Sequence, residues 1–329
     1  MRYVVIGAGA IGGTIGVRLA RAGRSVVLVA RGAHLEAIRS DGLRLDEPGG
    51  SHTVRLPAVA AVGDLDWADG DVALLCTKTQ DTPPLLEALS AVAPSVPVVC
   101  VQNGVANERL AAERFADVLG VCVMMPAEHL TPGRVASFSA GVPGLLDIGR
   151  YPSGVDALTE EIADDLTAAG FSARPTASIM RWKYSKLLGN LGNAAEAACG
   201  FDDPDLPALY RAARDEGTRC LDAAGIDVAS PDEDRERRGT LLDVQPIDGA
   251  ARQGGSTWQS LQRGIGSVEV AYLNGEIVAL GERHGVPTPV NTLLLATAER
   301  MAAAREAPGR YRAADLLAAA GSRTAQGSA

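Results

Sequence analysis

VVIGAGAIGGTIGVRLARAGRSVVLVAR, residues 4–31, is the stretch from which the fold can be read. An apolar, β-branched run at Val4 to Ile6 meets Gly7, Gly9 and Gly12. A helical pattern follows, and then a second apolar run from Ser25 to Ala30. Between a strand and a helix this glycine spacing is a dinucleotide fingerprint. The first glycine permits the tight turn, the second lets a pyrophosphate approach the backbone, and the third lets the helix pack on its strand. The loop formed by Gly7, Ala8, Gly9, Ala10, Ile11 and Gly12 is therefore expected to hold a cofactor at the helix amino end, where unpaired N–H groups favour an anion.

The same stretch closes on Arg31, about 20 residues beyond the loop, where an NAD-binding fold would carry a carboxylate for the ribose 2′-hydroxyl. A guanidinium there would hold a 2′-phosphate instead. The expected cofactor is NADP(H), with Lys78 at the end of the run VALLCTK as a second cation. The competing reading of Arg31 is an ordinary solvated arginine.

Working outward, Val72 to Thr77 and Val98 to Val101 read as further buried strands, and TPPLLEALSAV and ANERLAAERF as helices beside them. Such alternation predicts a Rossmann-type doubly wound parallel sheet. From Val118 to Gly149 the runs VLGVCVMM, GRVASFSA and GLLDIG, separated by TPG and AGVPG, predict antiparallel strands that extend or close that sheet. After Pro175 strands disappear. Helices are expected over Ser178 to Cys199, Pro207 to Ala224, Val268 to His284 and Val290 to Ala304, with a long polar loop through residues 230–255. The organisation read from this pattern is an α/β nucleotide-binding domain over 1–175, an all-α second domain over 176–320 and a frayed tail over 321–329.

Bulk properties narrow the function. A formal charge of -9 argues against a nucleic-acid partner, because the summed field repels phosphate polymers. The five cysteines are scattered, without metal-ligand spacing, and read as reduced core residues. No export signal or membrane span is legible, so a cytoplasmic protein is expected. The Ala-rich second domain could pack against its copy in a homodimer.

The second informative stretch is RWKYSKLLGNLGNAAEA. Lys186, Asn190 and Asn193 fall on one helical stripe among apolar and small neighbours, so the expected helix is largely buried. A lysine and two amides in such a setting need partners or a polar cleft. An ammonium could stabilise the oxygen of a carbonyl receiving hydride and protonate it, while the amides orient the substrate. Structural capping by the asparagines is the alternative.

With these pieces in place, the chain resembles the ketopantoate reductase (2-dehydropantoate 2-reductase) family. The likeness rests on GAGAIGG, Arg31, CTKTQ around Lys78, VQNGV around Asn103, W...KLLGN from Trp182 to Asn190, VEVAYLNGEIV and HGVPTPVN. The resemblance implies NADPH-dependent reduction of a small 2-oxo acid, with Lys186 as proton donor and Asn190 binding substrate. It implies Asn103 beside nicotinamide and substrate, Glu269 and a backbone contact at Ala127 on the cofactor side, and Ser256 as a substrate-binding serine. Two departures stand out: Ala194 occupies the place of the family's second asparagine, with Asn193 one position early, and the stretch from Gln259 to Glu269 is a residue long. Reduction of another 2-oxo acid or an imine, and a non-catalytic NADP sensor, remain the alternative functions.

Overall fold

A computed structural model of the protein describes residues 1–264 and 266–326. Its contacts divide the chain into two compact units. The first comprises residues 1–183 together with 230–252, and the second comprises 184–229 together with the chain from 253 onward.

In the first unit the strands are β1 (Arg2–Ile6), β2 (Ser25–Val29), β3 (Leu43–Glu47), β4 (Gly50–Val54), β5 (Ala58–Val59), β6 (Asp71–Leu75), β7 (Val98–Cys100), β8 (Val118–Met124), β9 (Ala127–Thr131), β10 (Arg134–Ser137) and β11 (Leu145–Arg150). The helices are α1 (Ala10–Arg21), α2 (Gly32–Asp41), α3 (Thr82–Val92), α4 (Ala106–Ala112) and α5 (Ala157–Ala168). Seven strands form the main sheet in the order β11-β8-β7-β6-β1-β2-β5, parallel except for β11, which runs antiparallel to β8. Side chains alternate across it: Tyr3 and Val5 enter one buried cluster, Val4 and Ile6 another. A sheet covered on both faces needs continuously apolar strands, which is why these runs were readable.

Two expectations change here. The β9–β10 hairpin does not extend the main sheet but joins β3 and β4 in a separate four-stranded sheet of order β4-β3-β10-β9. Within it the buried Asp46 accepts from Arg44, Ser51 and Arg134, whose side chains lie nearer the surface. Residues 230–252 form no plain loop of the second domain. They contain α9 (Pro231–Arg238), opened by a Ser230–Glu233 capping box, and they group with the first unit. The buried Arg237 guanidinium grips Asp147 of β11 with two hydrogen bonds of 2.6 Å, and Arg181 pairs with Glu233.

The division also falls later than Pro175, inside α6 (Ile179–Asn190), because Lys183 is sunk into the first unit. The second unit is helical: α7 (Gly192–Cys199), α8 (Leu206–Ala223), α10 (Ser256–Gln262), α11 (Asn274–His284), α12 (Pro289–Ala304) and α13 (Ala313–Gln326). Its core gathers Leu187, Leu191, Leu209, Ile277, Leu294 and Met301. The expected frayed tail is helical through Gln326, the end of α13, and residues 327–329 lie outside the described residues. Among the described residues no helix is long and apolar enough to cross a membrane.

Candidate active site

The sheet order reverses at β1, flanked by β2 on one side and β6 on the other. In such sheets the ligand crevice lies outside the strand ends at this switch point. The glycine loop occupies it, and each glycine is used differently. Gly7 has φ of +101°, and a Cβ there would come within 2.9 Å of Thr77 beyond β6. Gly12 packs so closely that a Cβ would sit 2.2 Å from the Gly7 carbonyl oxygen. Around Gly9 the space is open: apart from its two chain neighbours, no atom lies within 4 Å of where a Cβ would be. Helix α1 starts just after Gly9 with no side-chain cap and no acid in its first turn. Its first N–H groups therefore point toward that space without an intrahelical acceptor. Ala8, Ala10 and Ile11 complete a cradle that fits a dinucleotide pyrophosphate.

Arg31 is exposed at the N-cap of α2, whose first turn also carries no acid, and it makes no ion pair among the described residues. Lys78 is half-buried at the start of the short turn after β6. Asn103 follows β7, its carbonyl accepting from the Asn107 amide at 3.3 Å. Ala127 opens β9 and is buried, and its N–H already donates to the Met125 carbonyl. Two contributors were given no role from the sequence. His34 donates from Nε2 to the Ala8 carbonyl at 2.7 Å and accepts the Gly133 N–H at Nδ1, which fixes the neutral tautomer. Gln102 donates to the Thr77 carbonyl and to Thr82 Oγ1, and Thr82 in turn bonds Asn107, so the ends of β6 and β7 share one network.

The expected single stripe divides. Lys186 and Asn190 sit one turn apart on α6, but the helix breaks at Leu191 and Asn193 belongs to α7. The break is stabilised from a distance: the buried Asn274 amide donates to the Leu191 carbonyl at 3.1 Å. Lys186 is half-buried, and the wholly buried lysine of this helix is Lys183. Asn190 is buried, and among the described residues its Nδ2 has no hydrogen-bond partner. A buried amide donor left without an acceptor is costly unless a ligand supplies one.

Asn193 and Ser256 come close through Gly255. The Gly255 N–H donates to Glu196 of α7 at 2.5 Å, Asn193 Oδ1 lies beside Gly255, and Ser256 opens α10. Glu269 is buried at the start of a 3-10 turn, Glu269–Tyr272, and α11 begins only at Asn274, so the helix expected from Val268 is shorter. Among the described residues no disulfide joins the five cysteines, and no cluster of three or more His, Cys, Asp or Glu could hold a metal.

A doubly wound sheet with its glycine loop at the switch point, followed by a helical unit bearing Lys186 and Asn190, defines a pyridine-nucleotide-dependent oxidoreductase of two units. The models of the ketopantoate reductase PanE/ApbA domain and of its C-terminal domain match residues 3–153 and 178–302. The chain belongs to the ketopantoate reductase family. It is 32% identical to the 2-dehydropantoate 2-reductase of Halobacterium salinarum over 88% of this chain and 95% of that one. The crystal structure of a PanE/ApbA family ketopantoate reductase from Ralstonia eutropha JMP134 aligns with a TM-score of 0.79 at 28% identity, covering 93% of this chain and all of that one. D-mandelate dehydrogenase, at 22% identity and a TM-score of 0.78 over 93% of this chain and all of that one, shares the fold.

Proposed function

We propose that the protein reduces 2-dehydropantoate (ketopantoate) to pantoate with NADPH, a step of pantothenate biosynthesis. NADPH, when bound, supplies the hydride for C2 of the oxo acid. The loop from Gly7 to Gly12 holds the pyrophosphate on the α1 amino end, with Arg31 and Lys78 taking the 2′-phosphate. Asn103, the backbone at Ala127 and Glu269 serve the nicotinamide side. Asn190, Asn193 and Ser256 bind the substrate, and Lys186 gives its proton to the C2 oxygen. The donor is an ammonium and not an imidazolium because none of the four histidines, His34, His52, His129 and His284, accompanies this polar helix in the sequence.

The observation that carries this reading is the buried, unmatched Asn190 Nδ2 one turn from Lys186. A carboxylate or hydroxyl oxygen of the substrate is the acceptor it lacks. The test is NADPH oxidation followed by absorbance with ketopantoate and a panel of other 2-oxo acids. Ketopantoate should give the highest kcat/KM, and Lys186→Ala should lower kcat by about a hundredfold or more, the usual worth of a proton donor. A Lys186→Ala kcat within threefold of wild type would remove Lys186 from the chemistry.

A second reading keeps the cofactor and changes the acid. Asn193 sits on a different helix from Asn190, and Ala194 is buried where a further amide would be expected, so the amides are set differently from what the resemblance implies. In that case another branched 2-oxo acid or an imine outperforms ketopantoate in the same panel.

A further inference from the structure

Lys183 has three N–H donors and no acceptor, and in this protein it meets three acceptors. Its Nζ lies 2.8 Å from the Gln102 carbonyl, 3.2 Å from the Val121 carbonyl and 2.6 Å from Glu108 Oε1. Lys183 and Glu108 are both buried. Two of these acceptors exist because a ladder ends. The parallel pairing of β7 with β8 stops at Cys100 opposite Gly120, so the carbonyls of Gln102 and Val121 lie beyond it. Buried carbonyls without donors are costly, and the ammonium satisfies both at once.

Glu108 neutralises the charge from α4, the helix that follows the QNG turn. Burial pushes its carboxyl above the ordinary range, and Lys183 pulls part of that back. Space for the carboxylate depends on Gly120, where a Cβ would stand 3.0 Å from Oε1.

We infer that Lys183, held by Glu108, is a positioning residue: it fixes the strand end Gln102–Asn103 and thereby sets where Asn103 presents its side chain. With two donors on backbone carbonyls and its charge paired with Glu108, Lys183 is engaged within the fold, so its role differs from that of Lys186 three residues along the same helix. The Gln102 side chain and Asn107 hold the same turn from the other side. Lys183 supplies a charged, buried anchor. The functional half of this inference rests on reading Asn103 as a nicotinamide-side residue.

The experiment is the pair Lys183→Met and Glu108→Leu made together, which removes both charges and leaves the two carbonyls without their donor. The double variant should bind NADPH within about threefold of wild type by fluorescence titration, because the pyrophosphate loop is untouched. Its kcat should fall by about tenfold to a hundredfold, the cost of misplacing a group that orients reactants. Amide hydrogen exchange across 101–105 should quicken while β1 and β2 stay protected.

A folded double variant with wild-type exchange across 101–105 overturns the positioning role, whatever its melting temperature. Should wild-type enzyme turn over no 2-oxo acid, the functional reading fails on its own, and the exchange comparison still decides this inference. If the double variant does not fold, Glu108→Gln removes the charge that holds Lys183 while keeping the side-chain shape. Faster exchange at 101–105 in that variant supports the role, and unchanged exchange overturns it.

Discussion

His34 and Ala8 are joined by a 2.7 Å hydrogen bond from the imidazole Nε2–H to the carbonyl inside the glycine loop. The other ring nitrogen accepts the Gly133 N–H from the β9–β10 turn at 2.9 Å. The imidazole thus ties the glycine loop of the main sheet to a hairpin of the second sheet. Replacing His34 with Ala removes both bonds, each worth about 1 kcal/mol net. The expected outcome is a Kd for NADPH raised by about fivefold or more with kcat at saturating cofactor nearly unchanged. Fluorescence titration beside steady-state kinetics checks it, and an unaltered Kd would show that the loop holds its shape alone.

The two inner glycines separate folding from binding. Gly9 faces open space and Gly12 faces a backbone oxygen at 2.2 Å. Gly9→Ala should leave the melting temperature close to wild type while weakening NADPH binding by about tenfold, because the new methyl group stands where the pyrophosphate must approach. Gly12→Ala should instead lose about 1–3 kcal/mol of stability through overpacking of α1 on β1. Thermal melts with and without NADPH distinguish the two. Equal melting temperatures for both variants would contradict the packing argument.

Arg31 stands exposed at the N-cap of α2 with no acid in the following turn. A charge-assisted bond to a 2′-phosphate is worth about 1.5–3 kcal/mol, so Arg31→Ala should raise the KM for NADPH by at least tenfold and leave that for NADH nearly unchanged. Equal effects on the two cofactors would assign Arg31 to the solvent.

Asp156 caps α5, accepting the Thr159 N–H at 3.0 Å, and it also takes the Arg150 guanidinium. Partial burial raises its carboxyl, but the bonds from Arg150 and Thr159 outweigh that and bring it from an ordinary 3.8 down to about 2. A carboxyl depressed in the folded state adds stability above its unfolded value and loses it as pH falls toward the folded one. Asp156→Ala should therefore cost about 1 kcal/mol near neutral pH, the usual worth of a cap. The gap from wild type should close between pH 4 and pH 2. Melting curves across that range measure it, and a gap independent of pH would mean that the cap acts without its charge.

Much of the first unit was legible because its main sheet is buried on both faces. Val4 to Ile6, Val26 to Val29 and Val72 to Leu75 had to be apolar throughout, and the glycines had to follow β1 at once. The β3–β4 hairpin was not legible, since its strands alternate buried Leu43 and Leu45 with Arg44, Ser51 and Thr53, and one partner of its buried Asp46 is Arg134 from β10. Helix α9 carries almost no apolar surface. What docks it is Arg237 on Asp147, a pairing across ninety positions that no periodicity can announce.

On the substrate side the residue types were readable and their geometry was not. Lys186 and Asn190 share α6 as the spacing required. The break that puts Asn193 on α7 falls between Gly189 and Gly192, and the bond that Leu191 receives there comes from Asn274, far along the chain. Likewise a lysine in Lys183's place would ordinarily reach toward water. Only Glu108 and two unpaired carbonyls, brought together by the sheet, explain its burial.

The excursion of residues 230–252 means that the gene cannot be cut into two working halves. A fragment ending at residue 183 would carry Asp147 without Arg237, stranding a carboxylate in an apolar setting. A fragment beginning at 184 would carry α9 with nothing to receive it. Exchange of a helical half between relatives therefore succeeds only when this returning segment travels with its own sheet.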